Sequence, residues 1–422
     1  MDALTPFQSL ALASALTAGC AAFAVKVLRM RGSLGMAASG SILSAGAYLS
    51  GMFFPSVGEY AAHLWSSLEF SESVFHGMLC FLLFAGAMHL DLRALARWRW
   101  HVLVLATVGV ILSTGIFAGA LWLLSQAVGI EVPFVWLLVF GALISPTDPI
   151  AVISLLKQMG APKDLEIKIA AESLFNDGTA VVMFATLLAL ATGGAEPTAA
   201  GFGMTFLREA GGGALFGILG GACGHYLLKS INDPPVEITI TIALALCIYS
   251  GAEALHISAP LAVAVCGVLI GNARHRSMSQ ETQARLVPFW ETFDEILTMA
   301  LFAMVGLALM GTNLQWSSLW MGMAAIAASI FARFLSVWLA IYAFPPARRP
   351  LLPGTVATMT WGGLRGGISI AMALALPHSE WRDAIVSCCW FVVMFSLLVQ
   401  APTMPRLLRH HGLSGDKRSD SH

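Results

Sequence analysis

Apolar stretches of about 20 residues follow one another from Phe7 to Pro402, separated by short polar segments. That is the length a helix needs to cross the hydrocarbon core of a bilayer. The pattern predicts thirteen spans, at roughly 7–27, 34–53, 73–90, 101–127, 133–156, 167–191, 205–228, 236–255, 257–273, 289–310, 316–343, 351–376 and 383–402. The longest connections are 54–72 and 274–288, and about twenty residues follow the last span, so no soluble domain is expected. The expected fold class is an all-α polytopic membrane protein. Composition supports this: 57% of the 422 residues are hydrophobic and 11% charged, against about 25% charged in a soluble domain.

The placement of charge orients the spans. Lys26, Arg29 and Arg31 follow span 1; Arg93, Arg97 and Arg99 follow span 3; Lys157, Lys163 and Lys168 join spans 5 and 6; Arg274, Arg276 and Arg285 join spans 9 and 10. Bases that collect at alternate connections mark the cytoplasmic side. This puts the N-terminus outside and the tail, 403–422, in the cytoplasm. The start "MDALTPFQSL" has no basic n-region, so its apolar stretch is read as span 1 and not as a cleaved signal. The cysteines lie mostly within spans, without metal-type spacing, and read as small packing residues. Tryptophans near span ends (Trp98, Trp100, Trp290, Trp316, Trp320) read as interface anchors.

Two spans carry helix-breaking residues at corresponding places. Span 5 contains "ISPTDPIAV" (144–152), and span 12 contains "TWGGLRGGISIAMALALP" (360–377). Proline removes a backbone donor and glycine weakens a helix. Unwound backbone is tolerable at membrane depth only where it is buried or lines a cavity. The expected architecture is two inverted six-helix repeats, about 7–191 and 236–402, joined by a linker helix at about 205–228, with broken helices crossing near mid-membrane. Broken helices at matching positions of inverted halves point to the ion site of a secondary transporter.

The charges inside the membrane sit on these and neighbouring spans: Asp148 in span 5, Glu172 and Asp177 in span 6, Arg333 in span 11, Arg365 in span 12. Glu172 and Asn176 share one helical stripe, and Ser173 and Asp177 the adjacent one. Such oxygen ligands suit a hard cation such as Na⁺, and no His/Cys cluster suggests a transition metal. An acid paired with a buried arginine is structural, because arginine keeps its charge. An unpaired acid in a partly dry cavity can trade a proton for a cation. Glu172 is assigned the paired role, with Arg333 as preferred partner and Arg365 as the other candidate; Asp177 is assigned the exchange. One proton for one Na⁺ would be electroneutral. Asp148 reads equally as a ligand and as the N-cap of the second half of span 5. Glu253, Glu291, Asp294 and Glu295 read as interfacial, or as lining a funnel toward the site. No Ser/His/Asp or HExxH arrangement lies within the spans, so an enzyme is not expected.

"SPTDPIAV", "ESLFNDG" and "WGGLRGGISIAMALALP", in this order, resemble the monovalent cation:proton antiporters of the sodium/proton exchanger type. The resemblance implies a bound Na⁺ (or K⁺, Li⁺) exchanged for H⁺, with no cofactor. It implies an ion site of Asp177, Ser173, Thr147 and Asp148, with Asn176 holding the site together and Glu172 in an arginine ion pair. It also implies a homodimer in the cytoplasmic membrane of a bacterium, with lipid as its surroundings and no nucleic acid or soluble regulatory domain as partner. A core part would move against a dimerisation part to alternate access. The asparagine–aspartate pair resembles the electroneutral branch. One departure stands out: many relatives carry an acid in the third span, where "FLLFAGAMHLDL" (81–92) has Ala85. The alternative function is a proton-coupled carrier of another small substrate on the same scaffold.

Overall fold

The computed structural model describes residues 6–30, 32–53, 56, 77–193, 199–307, 316–342 and 352–413. Most of the 54–72 connection, the start of span 3 and the end of the tail lie outside the described residues. The rest is built of helices: α1 (Pro6–Phe23), α2 (Gly32–Phe53), α3 (Leu79–Met88), α4 (Leu92–Ala106), α5 (Val108–Val128), α6 (Phe134–Ile144), α7 (Ile150–Gln158), α8 (Lys163–Ala191), α9 (Ala199–Lys229), α10 (Pro234–Ala254), α11 (Ala259–Ser277), α12 (Gln280–Leu307), α13 (Trp316–Tyr342), α14 (Thr355–Trp361), α15 (Gly367–Leu374), α16 (Arg382–Phe395) and α17 (Ala401–His410). Several, such as α8, α10 and α13, are long and apolar enough to cross a membrane. The protein is an all-α membrane protein.

The helices form two packed groups. In one, α3, α9 and α10 pack around α11, with α2 along α12; in the other, α5 packs on α6 and α13, α4 and α6 on α8, and α13 on α16. Helix α8 sits between the groups and also touches α9 and α11. Against α11 it presents Gly178, where an added Cβ would lie 3.2 Å from Leu261 Cβ. With no water to drive apolar association inside a bilayer, helices hold together by such close packing.

Spans 5 and 12 are broken as their sequences require. Helix α6 stops at Ile144 and α7 begins at Ile150; α14 stops at Trp361 and α15 begins at Gly367. The two unwound segments meet, with the Asp148 N–H donating to the Leu364 carbonyl at 2.7 Å.

Three details differ from the sequence reading. Span 4 begins nine residues early, as amphipathic α4, and bends at Thr107 before continuing as α5. Its N-cap is Asp91, whose carboxylate accepts from the Arg93 N–H at 2.7 Å and the Ala94 N–H at 3.4 Å. Helix α12 likewise starts at Gln280, well before its apolar stretch. Trp290 is not at an interface: it is fully buried, its indole N–H donating to Thr241 Oγ1 at 3.1 Å.

Candidate ion-binding site

Helix α8 positions the site because Glu172, Ser173, Asn176 and Asp177 fall on adjoining stripes of one continuous helix, all of them buried. Glu172, 1% exposed, receives both ends of the Arg333 guanidinium: Nη1 to Oε1 at 2.7 Å and Nη2 to Oε2 at 2.8 Å. The two-pronged geometry is the strong form of this pair. Arg333 also donates from Nε and Nη2 to the Met359 carbonyl, at 3.3 and 3.2 Å, in the last turn of α14. Gly363 makes room for this: a Cβ there would sit 2.6 Å from Arg333 Nε.

Arg365 goes elsewhere. Buried at 2% exposure, it donates from Nη1 to the carbonyls of Ser145 at 2.6 Å and Pro146 at 3.1 Å. These are the free carbonyls at the end of α6, where partial negative charge collects and a cation is favoured. Each arginine therefore holds the C-terminal end of one interrupted helix.

Thr147, in the first break, is tied to α8 from three sides. The Ser173 hydroxyl donates to its carbonyl. Asn176 Nδ2 donates to its Oγ1 at 2.8 Å and also to Glu172 Oε1 at 3.2 Å. The Thr147 N–H reaches Asn176 Oδ1 at 3.4 Å and faces the Asp177 carboxylate. Asn176 thus bridges the ion pair to the broken span.

Asp177, 5% exposed, differs from Glu172. Its Oδ1 is buried and has no hydrogen-bond partner. Asp148 and Glu172 are within electrostatic range of it, and among the described residues no arginine bonds to it. Asp148 is half-buried and lies over Gly366, where a Cβ would come within 2.6 Å of Asp148 Cβ. The N-cap position of α7 is Pro149, directly after Asp148.

Lys168, one turn before Glu172, is buried with its ammonium 3.5 Å from the centre of the Trp98 ring. Ala85 is fully buried in α3. Glu253, Glu291 and Glu295 are exposed, but Asp294 is half-buried. Nothing in the sequence pattern separates Asp294 from its acidic neighbours; only its helical distance from Thr298 and Leu301 hints at an inward face.

A crossing of interrupted helices, with one acid neutralised by arginine and another bare, defines a cation-handling membrane transporter. Comparison with known proteins agrees. The family model described as "Sodium/hydrogen exchanger, transmembrane" matches residues 7–410, and the chain belongs to that family. It is 42% identical over 346 residues to the Na⁺/H⁺ antiporter NhaP of Pseudomonas aeruginosa, covering 81% of this chain and 82% of that one. It is 31% identical over 364 residues to the Na⁺/H⁺ antiporter NhaH of Halobacillus dabanensis, covering 85% and 88%. Its fold is similar to that of the sodium proton antiporter MjNhaP1 from Methanocaldococcus jannaschii, with a TM-score of 0.74 at 20% identity over 95% of this chain and 97% of that one. The chain is a transporter of this family and not an enzyme.

Proposed function

We propose that the protein exchanges Na⁺, or K⁺ or Li⁺, for H⁺ one-for-one, with cation and proton competing for Asp177. The observation that carries this reading is the bare, buried Oδ1 of Asp177 beside a Glu172 whose two oxygens are taken by Arg333. Burial penalises an ionised carboxylate with one oxygen unpaired and no arginine at hand, so Asp177 gains by taking either a proton or a cation. Ser173, Thr147 and Asp148 are the neighbouring oxygens for the ion, and Asn176 locks Thr147 in place. Because Glu172 stays neutralised in both states, Asp177 alone changes charge, which makes the exchange electroneutral. Arg333 and Arg365 both donate to protein oxygens, and neither is presented to an anionic substrate; this weighs against a carrier of organic anions.

The setting follows the same reading. The chain works as a homodimer in a bacterial cytoplasmic membrane, N-terminus outside and tail inside, as one transmembrane domain. Repeat 1 spans about 7–191, the linker helix about 205–228 and repeat 2 about 236–402.

The test is dissipation of a pH gradient in everted vesicles on separate addition of Na⁺, K⁺ and Li⁺. The gradient should collapse with at least one of them, and the Asp177→Asn protein should be inactive at wild-type abundance. Activity in that variant, or no response to any monovalent cation, would refute the reading.

A further inference from the structure

Asp177 has an unpaired buried oxygen, yet α3, which touches α8, carries a fully buried Ala85 where the resemblance implies an acid. Phe81 shares a helical face with Ala85 and packs against α12, its ring centroid 5.2 Å from Phe293 and 6.2 Å from Trp290. Phe84 lies 5.0 Å from Trp290. The contacts run in opposite order along the two helices, so α3 and α12 are antiparallel. That register puts Asp294 about one and a half turns, ~7.5 Å along the axis, from the level of Ala85.

Asp294 is half-buried and within electrostatic range of Asp148, which is itself in range of Asp177. Thr298, four residues on, and Leu301 share its face. Leu301 abuts Gly367, directly after the Gly366 that Asp148 overlies. The face that carries Asp294 therefore looks onto the crossing. Thr298 Oγ1 is buried with no hydrogen-bond partner, as is Ser369 Oγ on α15. Buried oxygens without a hydrogen-bond partner thus lie on three helices of this region, α8, α12 and α15, and oxygens are the ligand type that suits a hard cation.

We propose that Asp294 and Thr298 form a cation station on α12 that supplies the second carboxylate of the path and passes the ion to Asp177. The proposal rests on the antiport reading and deepens it. Among the described residues, no three His, Cys, Asp or Glu side chains come together to hold a metal ion. Asp294 acts on the passing cation by its charge, with the Thr298 hydroxyl as its neighbouring oxygen.

The experiment uses the purified full chain in proteoliposomes, reading proton flux against Na⁺ concentration. Asp294→Asn should raise the half-saturating Na⁺ about tenfold, the effect of losing one charge interaction from a partly dry site, with the maximal rate within about twofold. Thr298→Val should raise it about threefold. Adding Ala85→Glu to Asp294→Asn should bring half-saturation back to within about threefold of wild type, because the long glutamate side chain can span part of the roughly 7.5 Å offset. An unchanged half-saturating Na⁺ in Asp294→Asn, or a loss of maximal rate alone, would overturn the station. If Asp294→Asn does not assemble, Thr298→Val decides, and wild-type Na⁺ dependence there would overturn it. An active Asp177→Asn control would sink the antiport reading instead; an inactive one beside a wild-type-like Asp294→Asn sinks only the station.

Discussion

The two interrupted spans solve one problem with opposite chemistry. The first, "SPTDP", breaks by proline: it removes donors and leaves carbonyls and side-chain oxygens in the gap. The second, "GGLRGG", breaks by glycine: it removes side-chain volume and lets other groups in. Ser145 and Pro146 give their carbonyls to Arg365, and Thr147 gives its hydroxyl to Asn176. Gly363 and Gly366 give space, the first to Arg333 and the second to Asp148. One break thus offers ligands and the other accommodates them. The arginines cross over between the breaks and the rest of the bundle, so that neither interrupted helix end is left without a counter-charge.

The largest effect should come from the group that serves the glycine break. Glu172→Ala leaves Arg333 buried and unpaired, a loss of about 3–5 kcal/mol. The expected result is a sharp fall in yield and in thermal midpoint in detergent; a well-assembled variant with only a changed cation dependence would mean that Glu172 is a ligand. Next come the glycines themselves. Gly363→Ala and Gly366→Ala each force a methyl into occupied space, at about 1–3 kcal/mol. Transport should drop severalfold, and Gly363→Ala should lower the melting temperature as well, since it pushes on the guanidinium that holds Glu172. The proline break should be the more forgiving. Thr147→Ala loses the Asn176 hydrogen bond, worth about 1 kcal/mol, and should weaken cation dependence more than stability. Pro146→Ala should change stability by no more than about 1 kcal/mol, mostly through the unfolded chain. If Pro146→Ala proved as damaging as Gly363→Ala in the same melting assay, the contrast between the breaks would fall.

Both breaks were legible in the sequence because proline and glycine act locally. So was the anomaly of Glu172, Asn176 and Asp177 in an apolar helix. The division between Arg333 and Arg365 was not, because each lies at a depth where either could meet an acid. It depends on which helix end each guanidinium reaches, a tertiary fact. The early starts of α4 and α12 were missed for another reason. A helix continues through polar residues in the aqueous interface because its backbone hydrogen bonds are indifferent to hydropathy, whereas the span pattern follows hydropathy alone. Trp290 was misplaced because a tryptophan near a span end can face lipid headgroups or a neighbouring helix, and only Thr241 on α10 decides. Asp294 looked like one acid among several at a span end, and Thr298, whose bare hydroxyl marks that face, carries no signal in an apolar run.

Gly178, immediately after Asp177, brings α8 against Leu261 of α11 with no side chain of its own at the contact. In mechanical terms this is a bearing surface. On the proposed exchange, the helix that carries Asp177 would move against the other helix group with side-chain relief on the α11 side alone. A methyl at that point would be a ratchet tooth. On the proposed exchange, it should slow transport and leave the half-saturating Na⁺ as it is.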